Sequence, residues 1–399
     1  MKQLKVLVVF GTRPEAIKMA PLVKQLLAIP EQAKVYVCVT GQHREMLDQV
    51  LKLFGIYPDY DFNLMRDNQT PSQVAASVLL ELDPLMEQLR PDWVLVQGDT
   101  TTVMAAAIAA HYNRVRVGHV EAGLRTYDRE NPFPEEMNRV VTDHVSDLHF
   151  APTSIARDNL VHEGISVNHI FITGNTVIDA LQWIANQSLP STIENIFSIC
   201  DVDKDQNGKS IELKSKRRWN FRKSLILVTA HRRENFGKPL LDICQALSSL
   251  AARGDVHLIY PVHRNPNVWK PVHELLDGIP GITLMAPVDY LTLVHLLKSC
   301  YLILTDSGGI QEEAPSLNIP VLVLRETTER PEAVSCGAAR IVGTDPERII
   351  DEVENLLDDH NAHSVMAQAK NPYGDGKASE RIVDVLLRGQ CREYFPQNL

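Results

Sequence analysis

The segment from Gly118 to Arg139 (GHVEAGLRTYDRENPFPEEMNR) carries the residue types that acid–base chemistry needs. It follows an apolar run, and Pro132 and Pro134 stiffen its backbone among the charges. A solvated loop can also be charged, but a stiff, charged loop at the mouth of a parallel sheet is typical of catalytic segments. We therefore interpret this segment as catalytic. Its glutamates are Glu121, Glu130, Glu135 and Glu136, and its arginines are Arg125, Arg129 and Arg139.

The start of the chain predicts the kind of sheet that would position such a segment. Residues 5–10 form an apolar run, Gly11-Thr12-Arg13-Pro14 turns the chain, and residues 15–27 have helical periodicity. Strand, glycine turn and helix form the first unit of a doubly wound sheet. Arg13 and Lys18 then lie at a helix N-terminus, which favours anions, although an ordinary turn with exposed basic residues fits equally well.

Two later strands of the same pattern end at carboxylates. The run at 93–96 is followed by Gln97-Gly98-Asp99, and the run at 115–120 leads directly to Glu121. The carboxyl ends of parallel strands meet at one edge of a sheet. We therefore expect both carboxylates and Arg13 at the crevice where such sheets bind ligands.

The second half of the chain repeats the strand–turn–helix pattern. The run at 301–305 leads into Asp306-Ser307-Gly308-Gly309 and then into a helix predicted to hold Glu312 and Glu313 in its first turn. The glycines let a backbone approach a diphosphate closely, and the helix N-terminus favours its charge. A tight turn capped by Ser307 would have the same sequence. Arg330, a further cation expected at this edge, favours a nucleotide site.

Length, charge and cysteine placement limit the class of protein. A chain of 399 residues exceeds what one hydrophobic core usually supports, so two domains are expected. The net charge of −10 argues against a general role on nucleic acids or membranes. Six scattered cysteines and an N-terminus unlike a signal peptide favour a reducing, cytoplasmic setting.

The sequence predicts neither a cofactor nor a metal. No G-x-G-x-x-G follows a predicted strand and no Walker sequence is present, which argues against a tightly held nicotinamide or an ATP-driven step. A calcium loop is considered and rejected, because Gln206 stands where its central glycine is required. The acidic residues with calcium-loop spacing are Asp201, Asp203, Asp205 and Glu212.

Ten colinear segments together resemble the non-hydrolysing UDP-N-acetylglucosamine 2-epimerases. The resemblance covers nearly the whole chain apart from a polar insertion near 190–220. It implies two Rossmann-like, doubly wound α/β domains facing a central cleft (the glycosyltransferase-B type) and a homodimer. The implied limits are 1–176 for the first domain, 177–376 for the UDP-binding domain and 377–399 for a helix that crosses back to the first. The segments are GTRPEAIKMAP, TGQHREM, QGDTTT, GHVEAGLRT, PFPEEMNR, GNTVIDAL, TAHRREN, TDSGGIQEEAP, TTERPEAV and NPYGDG.

The implied reaction converts UDP-N-acetylglucosamine reversibly into UDP-N-acetylmannosamine by inversion at carbon 2. The C–H bond at that carbon has no adjacent carbonyl to acidify it, and no nicotinamide site is visible that would oxidise carbon 3. The remaining route removes UDP and the carbon 2 proton to give a 2-acetamidoglucal, and then adds both back on the other face. This route needs acid/base carboxylates and cations around the diphosphate.

The same resemblance implies roles for individual residues. His231 would contact the leaving diphosphate, Lys18 and Arg139 would support the carboxylates, and which carboxylate is the base stays open. The implied catalytic residues are Asp99, Glu121, Glu135 and His231. The implied substrate ligands are Arg13, Ser307, Gly308, Gly309, Glu312 and Arg330, together with a uracil pocket at Val288 to Leu293.

The chain departs from the family pattern in two places. An aromatic residue is common where Leu293 stands, so weaker stacking on the base is expected. Many bacterial relatives bind a second UDP-N-acetylglucosamine through Q-H-R-Q and a later arginine. Here Gln42-His43-Arg44 is followed by Glu45, and Asn68 stands in place of that arginine. Because both changes disfavour an anionic effector, we expect weak or absent allosteric activation.

Three other functions fit parts of the pattern. A hydrolysing epimerase that releases N-acetylmannosamine and UDP would run the same first step. A UDP-sugar glycosyltransferase of the same fold would not need Asp99, Glu121 and Glu135 in the first domain. A sugar-nucleotide sensor would not need acid/base groups at all. The product separates them: a UDP-sugar epimer, a free sugar with UDP, a transferred sugar, or no product.

Overall fold

The structure is a computed structural model that describes residues 3–41, 44–64, 66, 69–189, 193, 196–197 and 223–396. Contacts divide the chain into two compact units. The first unit holds the described residues up to Gln182 and those from Tyr373 onward, and the second holds Trp183–Pro372. Each unit is built on one parallel sheet, which confirms the predicted α/β class.

The sheet of the first unit has seven strands: β1 (Leu4–Phe10), β2 (Ala33–Val39), β3 (Tyr60–Asp61), β4 (Trp93–Gln97), β5 (Arg116–Val120), β6 (Leu148–Ala151) and β7 (Ile170–Ile172). They pair in parallel in the order β3-β2-β1-β4-β5-β6-β7. The order reverses between β1 and β4, and ligands of doubly wound sheets bind at such a switch point. Residues 6–10 of β1 are buried because helices cover both faces of the sheet, which accounts for their unbroken apolar run.

Each strand of this sheet is followed along the chain by one α-helix. These helices are α1 (Arg13–Leu27), α2 (Arg44–Phe54), α3 (Pro71–Leu89), α4 (Thr101–Tyr112), α5 (Glu135–Val145), α6 (Ser154–His162) and α7 (Thr176–Ala185). A short 3-10 helix covers Val167–His169. At α1 a capping box sets the start, since Thr12 and Glu15 each accept a hydrogen bond from the other's backbone N–H.

The sheet of the second unit has six strands: β8 (Ser224–Thr229), β9 (Val256–Pro261), β10 (Ile282–Met285), β11 (Leu302–Thr305), β12 (Val321–Val323) and β13 (Ala339–Ile341). Their order is β10-β9-β8-β11-β12-β13, again parallel throughout. The α-helices are α8 (Lys238–Ala251), α9 (Pro266–Leu276), α10 (Tyr290–Ser299), α11 (Gly308–Glu313), α12 (Pro331–Ser335), α13 (Pro346–Asp358) and α14 (His360–Ala367). The last helix, α15 (Ala378–Arg388), belongs to the first unit, where it packs against α1.

Some helices begin at other residues than predicted. α5 begins at Glu135, inside the charged segment that was interpreted as a loop. α11 is six residues long and starts at Gly308, so Glu312 and Glu313 lie beyond its first turn, contrary to the prediction. The glycines of this segment are helical residues and not a preceding turn. Apart from residues 193, 196 and 197, the polar stretch 190–220 with its acidic run lies outside the described residues.

The buried carboxylate of Asp179 joins α15 to the rest of the first unit, and its pKa is shifted as a result of its burial. Asp179 of α7 accepts hydrogen bonds from the backbone N–H groups of Ala378 (3.1 Å) and Ser379 (2.7 Å), and so caps a helix that lacks a cap of its own. Burial raises the pKa of Asp179 to about 6, with Asp375 acting in the same direction and the capped N–H groups opposing it.

The Asp179→Asn variant is expected to lose a pH dependence of stability. Because the folded-state pKa is raised, the folded protein binds this proton more tightly, and the resulting stabilisation is lost as pH rises from about 4 through 6. The variant should therefore lack the slope that this proton contributes between pH 4 and 7, which in wild type amounts to about 1.4 kcal/mol for each unit by which the pKa is raised. Urea unfolding between pH 4 and 7 measures this. Asp384→Asn on α15 itself, where the carboxylate is partly exposed and 3.2 Å from Arg388, is the control and should keep the wild-type profile. A parallel pH profile for wild type and Asp179→Asn would contradict the expectation.

Candidate functional site

Glu121 directly follows β5 and has a left-handed backbone conformation, with φ of 65°. Its buried carboxylate accepts hydrogen bonds through Oε2 from Nζ of Lys18 (2.5 Å) and from Nδ2 of Asn175 (2.8 Å). A residue with a β-carbon adopts this conformation at a cost of about 1–3 kcal/mol, so the surroundings must hold it there. The side chain is thus oriented by its own backbone and by two partners from distant elements.

Asp99 lies two residues beyond β4, and α5 holds it at two points. Arg139 donates from Nη2 to Oδ2 of Asp99 at 2.5 Å, and the neighbouring Asn138 donates to the backbone carbonyl of Asp99 at 3.0 Å. Arg139 also lies 3.4 Å from the carboxylate of Glu136. About a third of the Asp99 side chain remains exposed, so a ligand can reach it.

The two carboxylates share one edge of the sheet. The parallel pairing of β4 with β5 runs as far as Gln97 and Val120; Asp99 lies two residues beyond Gln97, and Glu121 directly follows Val120. Each carboxylate faces its own cation. Arg13 lies near this edge too, as the half-buried first residue of α1, which follows β1.

Glu135 and Glu136 have different surroundings, although they are adjacent in the sequence. Glu135 is half-buried as the first residue of α5. Glu136 is buried, and its Oε1 accepts hydrogen bonds from the backbone N–H groups of Thr126 (3.1 Å) and Tyr127 (2.9 Å). Glu136 therefore shapes the preceding loop, and Glu135 is the carboxylate of the two that is more accessible to a ligand.

A buried ionic network beneath these loops was not singled out from the sequence. Asp143 of α5 contacts both His119 of β5 (2.5 Å) and Arg125 (2.7 Å), and none of the three side chains is exposed. Burial acts to raise the pKa of Asp143, but the charges of His119 and Arg125 outweigh it and lower the pKa to about 2. The only signal in the sequence is a histidine within an apolar strand and a carboxylate on a buried helix face.

In the second unit, Asp306 organises the turn that follows β8. Its Oδ2 accepts hydrogen bonds from the backbone N–H groups of His231 (2.7 Å) and Arg232 (2.7 Å) and from Nδ2 of Asn235 (3.0 Å). Its Oδ1 is 3.4 Å from Nδ1 of His231 and has no hydrogen bond among the described residues. A proton on Nδ1 would satisfy this buried oxygen.

The surroundings of His231 fix the position of its ring and act on its pKa in opposite directions. Its ring stacks on that of His263, with centroids 5.3 Å apart. Burial lowers the pKa of His231 from its usual value, although the carboxylate of Asp306 acts in the opposite direction. A bound anion near the ring would favour the protonated form further.

The N-terminus of α11 faces two guanidinium groups. A β-carbon built on Gly308 would lie 3.7 Å from Nη2 of Arg232 and 3.9 Å from Cζ of Arg330. The first N–H groups of a helix have no acceptor within the helix. At the N-terminus of α11, backbone donors and two guanidinium groups therefore lie close together, an arrangement that favours an anion. Arg232 was not predicted from the sequence as a ligand, but its guanidinium lies as close to Gly308 as that of Arg330 does.

The remaining predicted ligands lie around α11 or on a neighbouring element. Ser307 is the N-cap residue but makes no side-chain cap hydrogen bond, and Gly309 is the second residue of the helix. Glu312 is buried and its Oε1 accepts a hydrogen bond from Nε of Arg330. Val288 precedes α10 and Leu293 lies on it, and both are half-buried.

Some expectations fall on parts of the chain that the structure does not describe. The proposed regulatory residues Gln42, His43 and Asn68 and the side chains of Arg44 and Glu45 lie outside the described residues. Among those described, no group of three or more His, Cys, Asp or Glu side chains is arranged to hold a metal ion. Nor does any helix in the described ranges combine the length and apolar character needed to cross a membrane.

Comparisons with known proteins identify the family and the fold of this chain. The family model described as UDP-N-acetylglucosamine 2-epimerase matches residues 27–387. The UDP-N-acetylglucosamine 2-epimerase of Escherichia coli strain K12 is 51% identical over 390 residues, which cover 96% of this chain and 98% of that protein. The crystal structure of the enzyme of that name from Neisseria meningitidis bound to UDP-GlcNAc has a TM-score of 0.83 at 44% identity, covering 96% of this chain and 100% of that one. A glycotransferase of kitacinnamycin shares the fold, with a TM-score of 0.61 at 14% identity, over 97% of this chain and 100% of that one.

Proposed function

Because the chain belongs to the UDP-N-acetylglucosamine 2-epimerase family, we propose that it interconverts UDP-N-acetylglucosamine and UDP-N-acetylmannosamine by inversion at carbon 2. The observation that carries this proposal is the pair of carboxylates at one sheet edge, each contacting its own cation: Glu121 with Lys18 and Asp99 with Arg139. Binding of a sugar nucleotide alone would not require this pair.

The reaction proceeds by elimination and re-addition. A carboxylate removes the carbon 2 proton, the bond between carbon 1 and the β-phosphate oxygen breaks, and its electron pair leaves with UDP. The electron pair of the broken C–H bond forms the double bond of 2-acetamidoglucal. Return of a proton to the opposite face of carbon 2 and of the UDP oxygen to carbon 1 completes the inversion without any net oxidation or reduction.

The first unit supplies the groups that act on the sugar. Asp99, Glu121 and Glu135 transfer protons at carbon 2 and stabilise positive charge that develops at carbon 1, since a carboxylate does both when it is rigidly held. The contacts of Lys18 and Asn175 to Glu121 and of Arg139 to Asp99 support fixed orientations for two of these carboxylates. Arg13 contributes positive charge at the same edge.

The second unit supplies the groups that bind UDP. The hydroxyl of Ser307, the N–H groups at Gly308 and Gly309 and the guanidiniums of Arg232 and Arg330 bind the diphosphate. Glu312 accepts from the ribose hydroxyls, and Val288 and Leu293 contact the uracil. His231, beside the carboxylate of Asp306, carries a proton when the diphosphate is bound and neutralises the charge that builds on the leaving oxygen.

Incubation of the purified protein with UDP-N-acetylglucosamine in deuterated water, without added nicotinamide, tests this function. We expect UDP-N-acetylmannosamine with deuterium at carbon 2, detected by NMR and mass spectrometry, because the proton that returns comes from a group in exchange with solvent. Free N-acetylmannosamine with UDP would instead identify a hydrolysing epimerase. An epimer without deuterium, or an absolute requirement for NAD, would refute the elimination route.

Two further properties form part of the proposal. We propose a homodimer, supported by exposed apolar side chains on the adjacent helices α3 (Leu80) and α4 (Tyr112), and light scattering in solution tests it. We also propose a cytoplasmic location, supported by the buried thiols of Cys38 and Cys244, which form no disulfide and suit a reducing compartment.

A further inference from the structure

The two carboxylate oxygens of Asp143 contact different parts of the protein. Oδ1 lies 2.5 Å from Nδ1 of His119, and Oδ2 accepts hydrogen bonds from Nη2 of Arg125 (2.7 Å) and from the backbone N–H of Gly123 (3.3 Å). Gly123 is two residues beyond Glu121. One buried oxygen of Asp143 therefore holds the backbone of the loop that carries Glu121.

His119 extends the network to the other loop. Its Nε2 lies 2.8 Å from the backbone carbonyl of Gly98, the residue before Asp99. A backbone carbonyl and an ionised carboxylate both act as acceptors here, so His119 can donate to both only when each ring nitrogen carries a proton. A neutral ring could donate to Gly98 or to Asp143 but not to both.

Arg125 links Asp143 to a second carboxylate. It donates to Glu163 from Nε (2.7 Å) and from Nη2 (2.6 Å), so its guanidinium pairs with both Asp143 and Glu163. Buried charges persist only when they are paired and hydrogen-bonded. Removal of one member leaves the others uncompensated, which makes the network rigid in its present arrangement.

We propose that Asp143 is a positioning residue that fixes the loops of Asp99 and Glu121 relative to each other, directly at Gly123 and through His119 at Gly98. The proposal rests on the function proposed above, in which both carboxylates act on the same sugar. Asp143 itself does not touch the substrate.

The loops need such a residue because their backbones leave the regular sheet. Gly98, Glu121 and Gly123 all have positive φ, at 83°, 65° and 85°. One backbone hydrogen bond, from the N–H of Gly98 to the carbonyl of Val120 (3.1 Å), continues the ladder beyond β4, and the side-chain contacts of His119 and Asp143 hold the loops in addition to it. Displacement of a catalytic group by about 1 Å can lower a rate by about a hundredfold, so the separation of the two loops matters for turnover.

The test compares Asp143→Asn with Glu163→Gln. Both remove one carboxylate from the network, but Glu163 contacts the side chain of Arg125 and not the backbone at Gly98 or Gly123. Asp143→Asn is expected to lower kcat for epimerisation by about 30-fold and to leave KM within about threefold. We expect Glu163→Gln to lower the melting temperature about as much as Asp143→Asn does, but to leave kcat within about twofold. Equal kcat in folded Asp143→Asn and wild type would overturn the proposal.

Double variants separate positioning from general destabilisation. In an enzyme that already carries Glu121→Gln, Asp143→Asn should lower the residual kcat by less than about threefold, because residues that act as a unit are not additive. The full 30-fold loss in both backgrounds would show that Asp143 acts independently of Glu121 and would overturn the proposal.

A second variant keeps the proposal testable where Asp143→Asn does not fold. His119→Gln removes the contact to Gly98 and retains that of Asp143 to Gly123, so its loss of kcat, about tenfold, should shrink to less than about threefold in an Asp99→Asn background. An undiminished tenfold loss in that background contradicts the proposal. A wild-type enzyme that does not epimerise the substrate would refute the proposed function instead, which the deuterium experiment decides separately.

Discussion

Replacement of Glu121 by glutamine is expected to lower kcat for epimerisation by about a thousandfold, within the range of about 10²–10⁴ that acid–base groups contribute. The amide keeps the size of the side chain and one acceptor for Lys18 and Asn175, but it can neither take nor return the carbon 2 proton. KM for UDP-N-acetylglucosamine should stay within about threefold, because the lost contribution acts in the transition state. Steady-state kinetics with product detection by NMR measures both constants.

The same charged segment provides the control for this prediction. Glu130 is exposed, and Glu130→Gln removes the same charge at a residue to which we assign no role in the reaction. It should leave kcat within about twofold, as surface substitutions usually do. The role of Glu121 would be wrong if Glu121→Gln, with a melting temperature near that of wild type, turned over at more than about a tenth of the wild-type rate.

Replacement of Arg330 by glutamine is expected to weaken binding of UDP by about 10- to 100-fold. A hydrogen bond to a charged group is worth about 1.5–3 kcal/mol, and Arg330 is one of two guanidiniums beside Gly308. Because Arg330 also donates to the buried carboxylate of Glu312, the variant leaves a negative charge near the diphosphate, which weakens binding further. Isothermal titration calorimetry with UDP measures the loss.

Arg340→Gln is the matched control for Arg330→Gln. Arg340 is an exposed arginine of the same unit that pairs with Glu352 on α13, and its removal should change the dissociation constant of UDP by less than about twofold. The two variants together separate a local contact from a change in net charge. Equal affinities for UDP in wild type and folded Arg330→Gln would exclude Arg330 from the diphosphate site.

The fold class and the family could be read from the sequence. Strands such as β1 and β8 are unbroken apolar runs because they are buried on both faces, and the glycine-containing turns that follow them are local features of the chain. The predicted resemblance to UDP-N-acetylglucosamine 2-epimerases is confirmed by the family model and by the identity to the E. coli enzyme. Helix starts were less accurate: α5 and α11 begin at residues that depend on how the preceding loop packs.

The sequence by itself therefore determined the order of elements and the loops that carry polar residues, since hydrophobic period and turn chemistry are local. Only the tertiary structure decided which charges meet. Lys18 and Glu121 are far apart in the chain, and the burial of Glu136 instead of Glu135 depends on the loop folded over it. The contact of Asp143 with both His119 and Gly123 follows from the packing of α5 against the sheet. Such pairings depend on distances between distant segments, which the register of the parallel strands sets and no local pattern records.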